Sequence, residues 1–382
     1  MDCVERQTAE AANYLRKNKA LREALGIGAE TVLEPHPLGA GEHNLNFWFE
    51  VEGQKFVLRF NVLPQPFHDN QVRYEFAALR ALEPSGRTPR ALYVDDDAGA
   101  PENGALVISF CEGSELDFDH LREGDLERVA RCIADIHAVP IDGAGAGKSV
   151  GTDGFTGGFA GGNAGTNGFA DASSFASAHT PAGRCPLFAP ADPLRTLFDE
   201  CIQRFELYRA SAFEDARVTR WVERFFAAAA PALDTDCDAR DRTHIVNTEP
   251  LASHFLLADD GRTSFVDWER PIIGEVAQDV AYFTAPTTSF WDSEFLFPRD
   301  AADAFVERYW CAVDGRFPRG SFDARLRAWR MATALRSVTW CCKALIQYGH
   351  GSTSHQTEKT ARKLPVYLSD EFMDMLAKEC FE

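Results

Sequence analysis

The period of the apolar positions changes along the chain, and each change marks a new element. Residues 5–25 (ERQTAEAANYLRKNKALREAL) put Ala11, Tyr14, Leu21 and Leu25 near one face of a helix, with Gly26 as its stop. TVLEPHPL reads as a strand leading into Gly39-Ala40-Gly41-Glu42-His43-Asn44. Leu45 to Val51 and Lys55 to Phe60 then form two strands around a turn at Glu52-Gly53. Helical spacing returns at Phe76, Leu79 and Leu82 and ends at Pro84-Ser85-Gly86. Two more strands follow, ALYV and GALVISF, until Cys111-Glu112-Gly113-Ser114 interrupts the run. From there Leu126, Val129, Ile133 and Ile136 repeat at helical spacing, so a boundary between a sheet-rich and a helical region falls near residue 111.

Residues 141–192 depart from both periods. They are rich in Gly, Ala and Ser, and such a segment buries too little apolar surface to offset its ordering entropy, so it reads as a flexible insertion. Gly147-Lys148-Ser149 echoes the end of a phosphate-binding loop, but Asp142 occupies the place of its first glycine and no strand precedes it. Helices are expected at 193–210 and 213–232, and again through most of 298–382, where Trp310, Trp329 and Trp340 are candidate core residues. Between these helical stretches lies HIVNTEPLASHFLLADDGRTSFVDWERPIIGEVAQD, residues 244–279. It reads as a strand, a polar loop, and a hairpin turning at Asp259-Asp260-Gly261.

That hairpin would return the loop's Glu249 and His254 to the side of Asp267 and Glu269. Three acids and an imidazole so gathered are a candidate site for a divalent metal and a proton acceptor; the alternative is that they solvate the hairpin. Upstream, the glycines between strands would let backbone N–H groups approach a polyphosphate. Glu75, early on its helix, is a candidate ion-pair partner for Arg59 and would aim that guanidinium at phosphate.

Composition narrows the partners. At 382 residues the chain exceeds a typical single domain, and 45% hydrophobic residues supply a core. A net charge of -19 argues against nucleic acid and against an anionic membrane surface. Scarce Lys with abundant Asp and Glu looks like a halophile's solvated surface, so the acidity says little about the substrate. Ten scattered cysteines without CxxC or zinc spacing suggest free thiols in a reducing cytoplasm. Neither a signal peptide nor a run near ~18 apolar residues is present.

In this order the motifs resemble the aminoglycoside phosphotransferase, choline kinase and methylthioribose kinase superfamily. LGAGEHNLNFWFEV is similar to its nucleotide loop, closest to the methylthioribose kinase version. FVLRF supplies Arg59 as the phosphate-binding cation, YEFAALRAL supplies Glu75, SFCEGSEL resembles the adenine hinge, and ARCIADIHAVP resembles the helix after it. The resemblance implies an α+β, protein-kinase-like two-lobed fold. Its antiparallel-sheet N-lobe would be 1–111 and its mainly helical C-lobe 112–382, carrying the catalytic segment 244–279. The family's His-Gly-Asp, later Asn, then Ile-Asp-x-Glu stands here as Asn247-Thr248-Glu249, His254 and Val266-Asp267-Trp268-Glu269, with Asp279 at the place of a loop-bracing Asp.

The resemblance further implies phosphoryl transfer from ATP or GTP, with Mg2+, to a hydroxyl or amine of a small-molecule acceptor. Gly39, Gly41 and Asn44 would cover the phosphates with Asn46 in support, Arg59 and Glu75 would serve the α/β-phosphates, and Phe110 and Glu112 would lie at the adenine. Asp267 and Glu269 would hold the metal, and Glu249 would take the acceptor's proton. Glu249 departs from the usual Asp, and His254 from a metal-binding Asn. Imidazole is a poor magnesium ligand, which leaves His254 three roles: holding phosphate, holding a metal-bound water, or favouring a metal such as manganese. A non-catalytic nucleotide-binding protein with a degenerate kinase fold is the alternative, and transfer of AMP a third class.

Overall fold

A computed structural model describes residues 3–40, 44–62, 70–96, 103–141, 187–235, 237–349 and 358–382. Most of the Gly-rich insertion and Gly41, Glu42 and His43 of the glycine turn lie outside the described residues.

The chain begins with α1 (Cys3–Lys17) and α2 (Lys19–Ala24), where one helix was expected. The break is Asn18, whose side chain leaves the helix and accepts from Leu21 N at 2.9 Å, capping α2. The next strand, β1 (His36–Ala40), is shorter than TVLEPHPL suggests. Pro35 has no N–H to give a ladder, so pairing starts after it. β2 (Asn44–Val51), β3 (Gln54–Asn61), α3 (Gln71–Leu82), β4 (Ala91–Asp95) and β5 (Ala105–Ser109) follow as the periods indicate. The five strands pair antiparallel in the order β1-β2-β3-β5-β4.

β3 is the centre of this sheet and is buried on both faces. Phe56, Leu58 and Phe60 pack with Phe47, Phe49, Ala11, Leu15 and Leu21 in a core under α1 and α2. Val57 points the other way, joining Ala78, Leu79 and Leu82 of α3 in a second core that continues into the helical region. A period of two thus gives the sheet two chemically separate faces.

Beyond β5 comes the two-residue β6 (Ser114–Glu115), then α4 (Asp125–His137), α5 (Pro193–Arg209) and α6 (Ala216–Ala229). β7 (His244–Val246), the hairpin β8 (Phe255–Leu257) and β9 (Thr263–Phe265), and β10 (Ile272–Gly274) make up the segment 244–279 with α7 (Val276–Phe283). β6 pairs with β8, so the stretch expected to be a hinge is tied to the hairpin. Gly113 permits this: its φ is +135°, and a Cβ there would meet Leu257 and Ala258 backbone at 2.8 Å.

α8 (Pro286–Asp292), α9 (Arg299–Val313), α10 (Phe322–Gly349), α11 (Glu358–Tyr367) and α12 (Asp370–Leu376) complete the chain. α10 runs against α5 and α7, and α9 against α4. Trp329 is fully buried as expected, whereas Trp310 and Trp340 are half-buried, with Trp340 edge-on to Trp291 at 5.3 Å. Among the described residues no helix is long and apolar enough to cross a membrane.

One buried ion pair locks α10 to the start of α7. Arg325 donates to both Glu275 oxygens, at 2.7 and 2.6 Å, and Trp329 Nε1 adds a third donor at 3.0 Å. Both charged side chains are buried. Breaking such a pair strands a charge, so Arg325→Ala is expected to lower stability by about 3–5 kcal/mol in urea titrations. A loss within experimental error would show that the pair is replaceable by solvent.

Candidate active site

Strand period builds the first wall of the site. With Phe47, Phe49, Phe56, Leu58 and Phe60 committed to the N-terminal core, the alternate positions Asn44, Asn46, Arg59 and Asn61 share the opposite face. The register sets Asn44 across from Asn61 and Asn46 across from Arg59. These neighbours bond: Asn61 Nδ2 donates to Asn44 Oδ1 at 3.1 Å, and Arg59 Nε to Asn46 Oδ1 at 3.0 Å. Glu75, on the buried side of α3, receives Arg59 Nη1 at 2.6 Å.

The end of the hairpin supplies the facing wall. Asp267 Oδ1 accepts from Arg59 Nη1 at 3.3 Å, and Glu269 Oε1 lies 3.9 Å from the same nitrogen. Asn44 Nδ2 donates to Glu269 Oε1, and Gln71 Nε2 to the Glu269 carbonyl at 2.6 Å. Burial opposes the charge on Arg59, but Glu75, Asp267 and Glu269 outweigh it and hold the guanidinium above its ordinary pKa. Burial pushes the Glu75 carboxyl up despite the pull of Arg59. For Asp267 burial also pushes upward, yet His254 and Arg59 prevail and keep it below its ordinary value.

Behind this wall stands Asp279 on α7, fully buried. Its two oxygens accept Asn247 N and Thr248 N, each at 2.8 Å. His137 Nε2 lies 3.3 Å from Asp279 Oδ2, and its Nδ1 2.8 Å from Tyr309 Oη. Asn247 Nδ2 donates to the Asp267 carbonyl at 2.8 Å, and Asn247 Oδ1 accepts Glu249 N at 3.1 Å. Thr248 and Asp267 both have positive φ, 76° and 66°, where side chains crowd the backbone. The bonds from Asp279 and Asn247 hold them there.

Glu249 reaches away from Arg59. Its Oε1 accepts from Arg336 Nη2 on α10 and lies 3.7 Å from Arg270 Nη1. Arg336 Nη1 also donates to the Thr248 carbonyl at 2.9 Å, and the guanidinium lies 5.1 Å from the centre of the Tyr282 ring. His254 Nε2 is 3.4 Å from Asp267 Oδ2, while its buried Nδ1 has no hydrogen-bond partner among the described residues.

Asn44, Asn46, Arg59, Glu75, Asp267 and Glu269 therefore form one bonded network, with His254 at its edge and Glu249 joined through the Asn247 loop. Phe110 and Glu112 stand apart, gathered by Lys55, whose Nζ is 3.1 Å from Glu112 Oε1 and 5.0 Å from the Phe110 ring centre. Gly39 lies in β1 opposite Asn46, and Gly41 is outside the described residues. Asn61, Gln71, His137, Arg270 and Arg336 were not singled out from sequence. Arg336 did carry a signal: it and Lys343 are seven residues apart in the apolar ALRSVTWCCKALI, which stacks two cations on one helix face.

Asp267 and Glu269 adjoin each other and offer hard oxygen donors. That suits magnesium, which takes one or two protein carboxylates and fills its octahedron with phosphate and water. Among the described residues no group of three or more His, Cys, Asp or Glu side chains stands in a metal-holding arrangement. The imidazole of His254 is directed at Asp267 itself, which competes with joint coordination.

The model of the phosphotransferase enzyme family (APH) matches residues 34–319. Several solved structures are similar. Choline kinase LicA from Streptococcus pneumoniae has a TM-score of 0.55 at 15% identity, covering 94% of this chain and 98% of that one. A thermostable mutant of aminoglycoside phosphotransferase APH(4)-Ia, in ternary complex with ADP and hygromycin B, gives 0.54 at 15%, covering 95% and 98%. Plasmodium vivax ethanolamine kinase Pv091845 gives 0.53 at 13%, covering 95% and 87%. No curated protein sequence matches. These likenesses carry the fold, the two-lobed protein-kinase-like one, with an antiparallel-sheet N-lobe and a mainly helical C-lobe. With its family's model matched over well more than half its length, the chain belongs to the phosphotransferase enzyme family.

Proposed function

We propose that the protein transfers the γ-phosphoryl group of ATP, or GTP, to a hydroxyl (or amine) of a small molecule bound between residues 1–111 and 112–382. The observation that supports this most is the convergence of Glu75, Asp267 and Glu269 on Arg59, from the helix and hairpin on either side of one strand. A buried guanidinium held by Glu75 and Asn46 is pre-oriented for phosphate oxygens, so little side-chain freedom is lost on binding. The backbone around Gly39, Gly41 and Asn44 covers the phosphates, and Phe110 and Glu112 flank the base.

Asp267 and Glu269 would hold magnesium, which when bound would offset the negative charge of the phosphates. His254 steadies Asp267 from the side opposite Arg59. Glu249 receives the acceptor hydroxyl's proton as the oxygen bonds to the γ-phosphorus and the bond to the ADP oxygen breaks. The transition state is loose, so the proton leaves late and little base strength is asked of the carboxylate that Arg336 holds. Its longer arm, relative to Asp, is anchored by that pairing, and the fixed geometry matters more than base strength.

Glu249→Gln keeps the shape and removes the proton acceptor. Turnover in a coupled ADP-release assay is expected to fall about 100-fold or more; wild-type turnover would exclude Glu249 from the proton transfer. Asp267→Ala is expected to reduce magnesium-dependent nucleotide affinity at least about tenfold by calorimetry, and an unchanged affinity would count against this metal site. Product analysis completes the set: ADP with a phosphorylated acceptor supports the proposal, whereas pyrophosphate release would mean nucleotidyl transfer, and an absence of turnover a binding protein.

A further inference from the structure

The wall of the site beyond Glu249 is cationic, in a chain whose net charge is -19. Arg204 on α5, Arg270 after the hairpin, and Arg336 and Lys343 on α10 act on one another and on Tyr282. Among the described residues, Glu200 and Glu249 face them. Glu200 takes Arg204 at 2.9 Å, and Glu249 takes Arg336 with Arg270 nearby. The next acid, Asp292, is already held by Lys359 at 2.6 Å and Ser253 at 3.0 Å.

Lys343 is the informative member. It is half-buried, yet among the described residues its ammonium has no hydrogen bond and no ion pair. Burial, then Arg204 and Arg270, draw its pKa below the ordinary lysine value. Burial and Arg204 likewise draw Arg336 down to about 10. The second nitrogen of the Arg204 fork, Nη1, is also buried without a partner among the described residues. Half-buried cations that repel one another lower the stability of the fold, and such arrangements mark sites where an anion relieves the repulsion.

We infer that Arg204, Arg270, Arg336 and Lys343 bind an anionic group of the acceptor, which is therefore a small hydroxyl compound bearing a phosphate or a carboxylate. This rests on the phosphotransferase reading above and names its substrate class. Planar guanidinium forks match phosphate and carboxylate oxygens in pairs, and the ammonium adds a point charge. Glu249, within the same charge cluster, lies beside the acceptor's hydroxyl end. A quaternary ammonium such as choline, or a polycationic amino sugar, meets like charge here.

Two measurements test the site separately from the chemistry. The first titrates inorganic phosphate, and acetate in parallel, into the full-length protein with its nucleotide site filled by a non-hydrolysable ATP analogue and magnesium. Binding is expected for wild type, at least about tenfold weaker in Lys343→Met and restored in Lys343→Arg; the tighter of the two anions identifies the acceptor's group. Lys343→Met is also expected to raise Tm without anion, because it removes an uncompensated charge, so a folding defect is recognised directly. Equal phosphate binding by wild type and Lys343→Met, or binding that vanishes when the analogue replaces ADP, would overturn the acceptor site; the latter outcome assigns the cations to the γ-phosphate.

The second measurement is ADP release with sugar monophosphates and hydroxy acids set against choline and aminoglycosides. Turnover confined to the anionic set, with KM raised at least about tenfold and kcat little changed in Lys343→Met, is expected. Preference for the cationic set overturns the inference and leaves the phosphotransferase reading standing. Phosphate binding that depends on Lys343 without turnover on any compound sinks that reading and leaves the anion site.

Discussion

The loop that follows β7 is held by one buried carboxylate. Asp279 has no contact with solvent, and a charge so placed is tolerated only when hydrogen bonds replace its hydration. Its oxygens receive two successive backbone N–H groups, from Asn247 and Thr248, with His137 and then Tyr309 arranged behind. Two adjacent amides bound by one carboxylate fix the direction of the chain leaving β7. Asn247 then passes that constraint on through its side chain, Nδ2 donating to the Asp267 carbonyl and Oδ1 accepting from Glu249 N. The loop and the hairpin end are set by the same group.

Arg59 does for the sheet what Asp279 does for the loop, though with a different balance. It is a cation with three carboxylates around it, and only Glu75 is at short ion-pair distance. Replacing Arg59 would leave Glu75 buried and unpaired, so a loss of stability would accompany any loss of binding. The asparagines make the arrangement specific. Asn44 reaches Glu269 while accepting from Asn61, and Asn46 fixes the plane of the guanidinium. A sheet face that would normally be apolar is polar along its rim because the hairpin covers it.

Much of this was legible in the chain. Alternation in LNFWFEV and KFVLRF separates an aromatic face from one bearing Asn46 and Arg59, and the turn at Glu52-Gly53 sets their register. Glu75 within an apolar helical period, and Asp267 two residues after a hairpin strand, follow from equally local patterns. What stayed hidden depends on long reach. Arg336 meets Glu249 across 87 positions, and no short-range pattern specifies which turn of α10 faces the loop. Local chemistry also misled at Asn18, whose capping bond divides a helix that periodicity would run through, and at Pro35, which delays the first strand. The pairing of β6 with β8 is invisible for a similar reason, since a two-residue strand has no period.

At Thr248 a φ of 76° places a β-branched residue in the left-handed region, which costs about 1–3 kcal/mol. Its hydroxyl donates to the Arg270 carbonyl at 3.2 Å, and its own carbonyl receives Arg336. Those same two arginines surround Glu249, the next residue of the loop. The strained residue and the acid that follows it thus share the same neighbours. One guanidinium, that of Arg336, therefore sets both a strained backbone and the carboxylate next to it, so neither can be adjusted without the other.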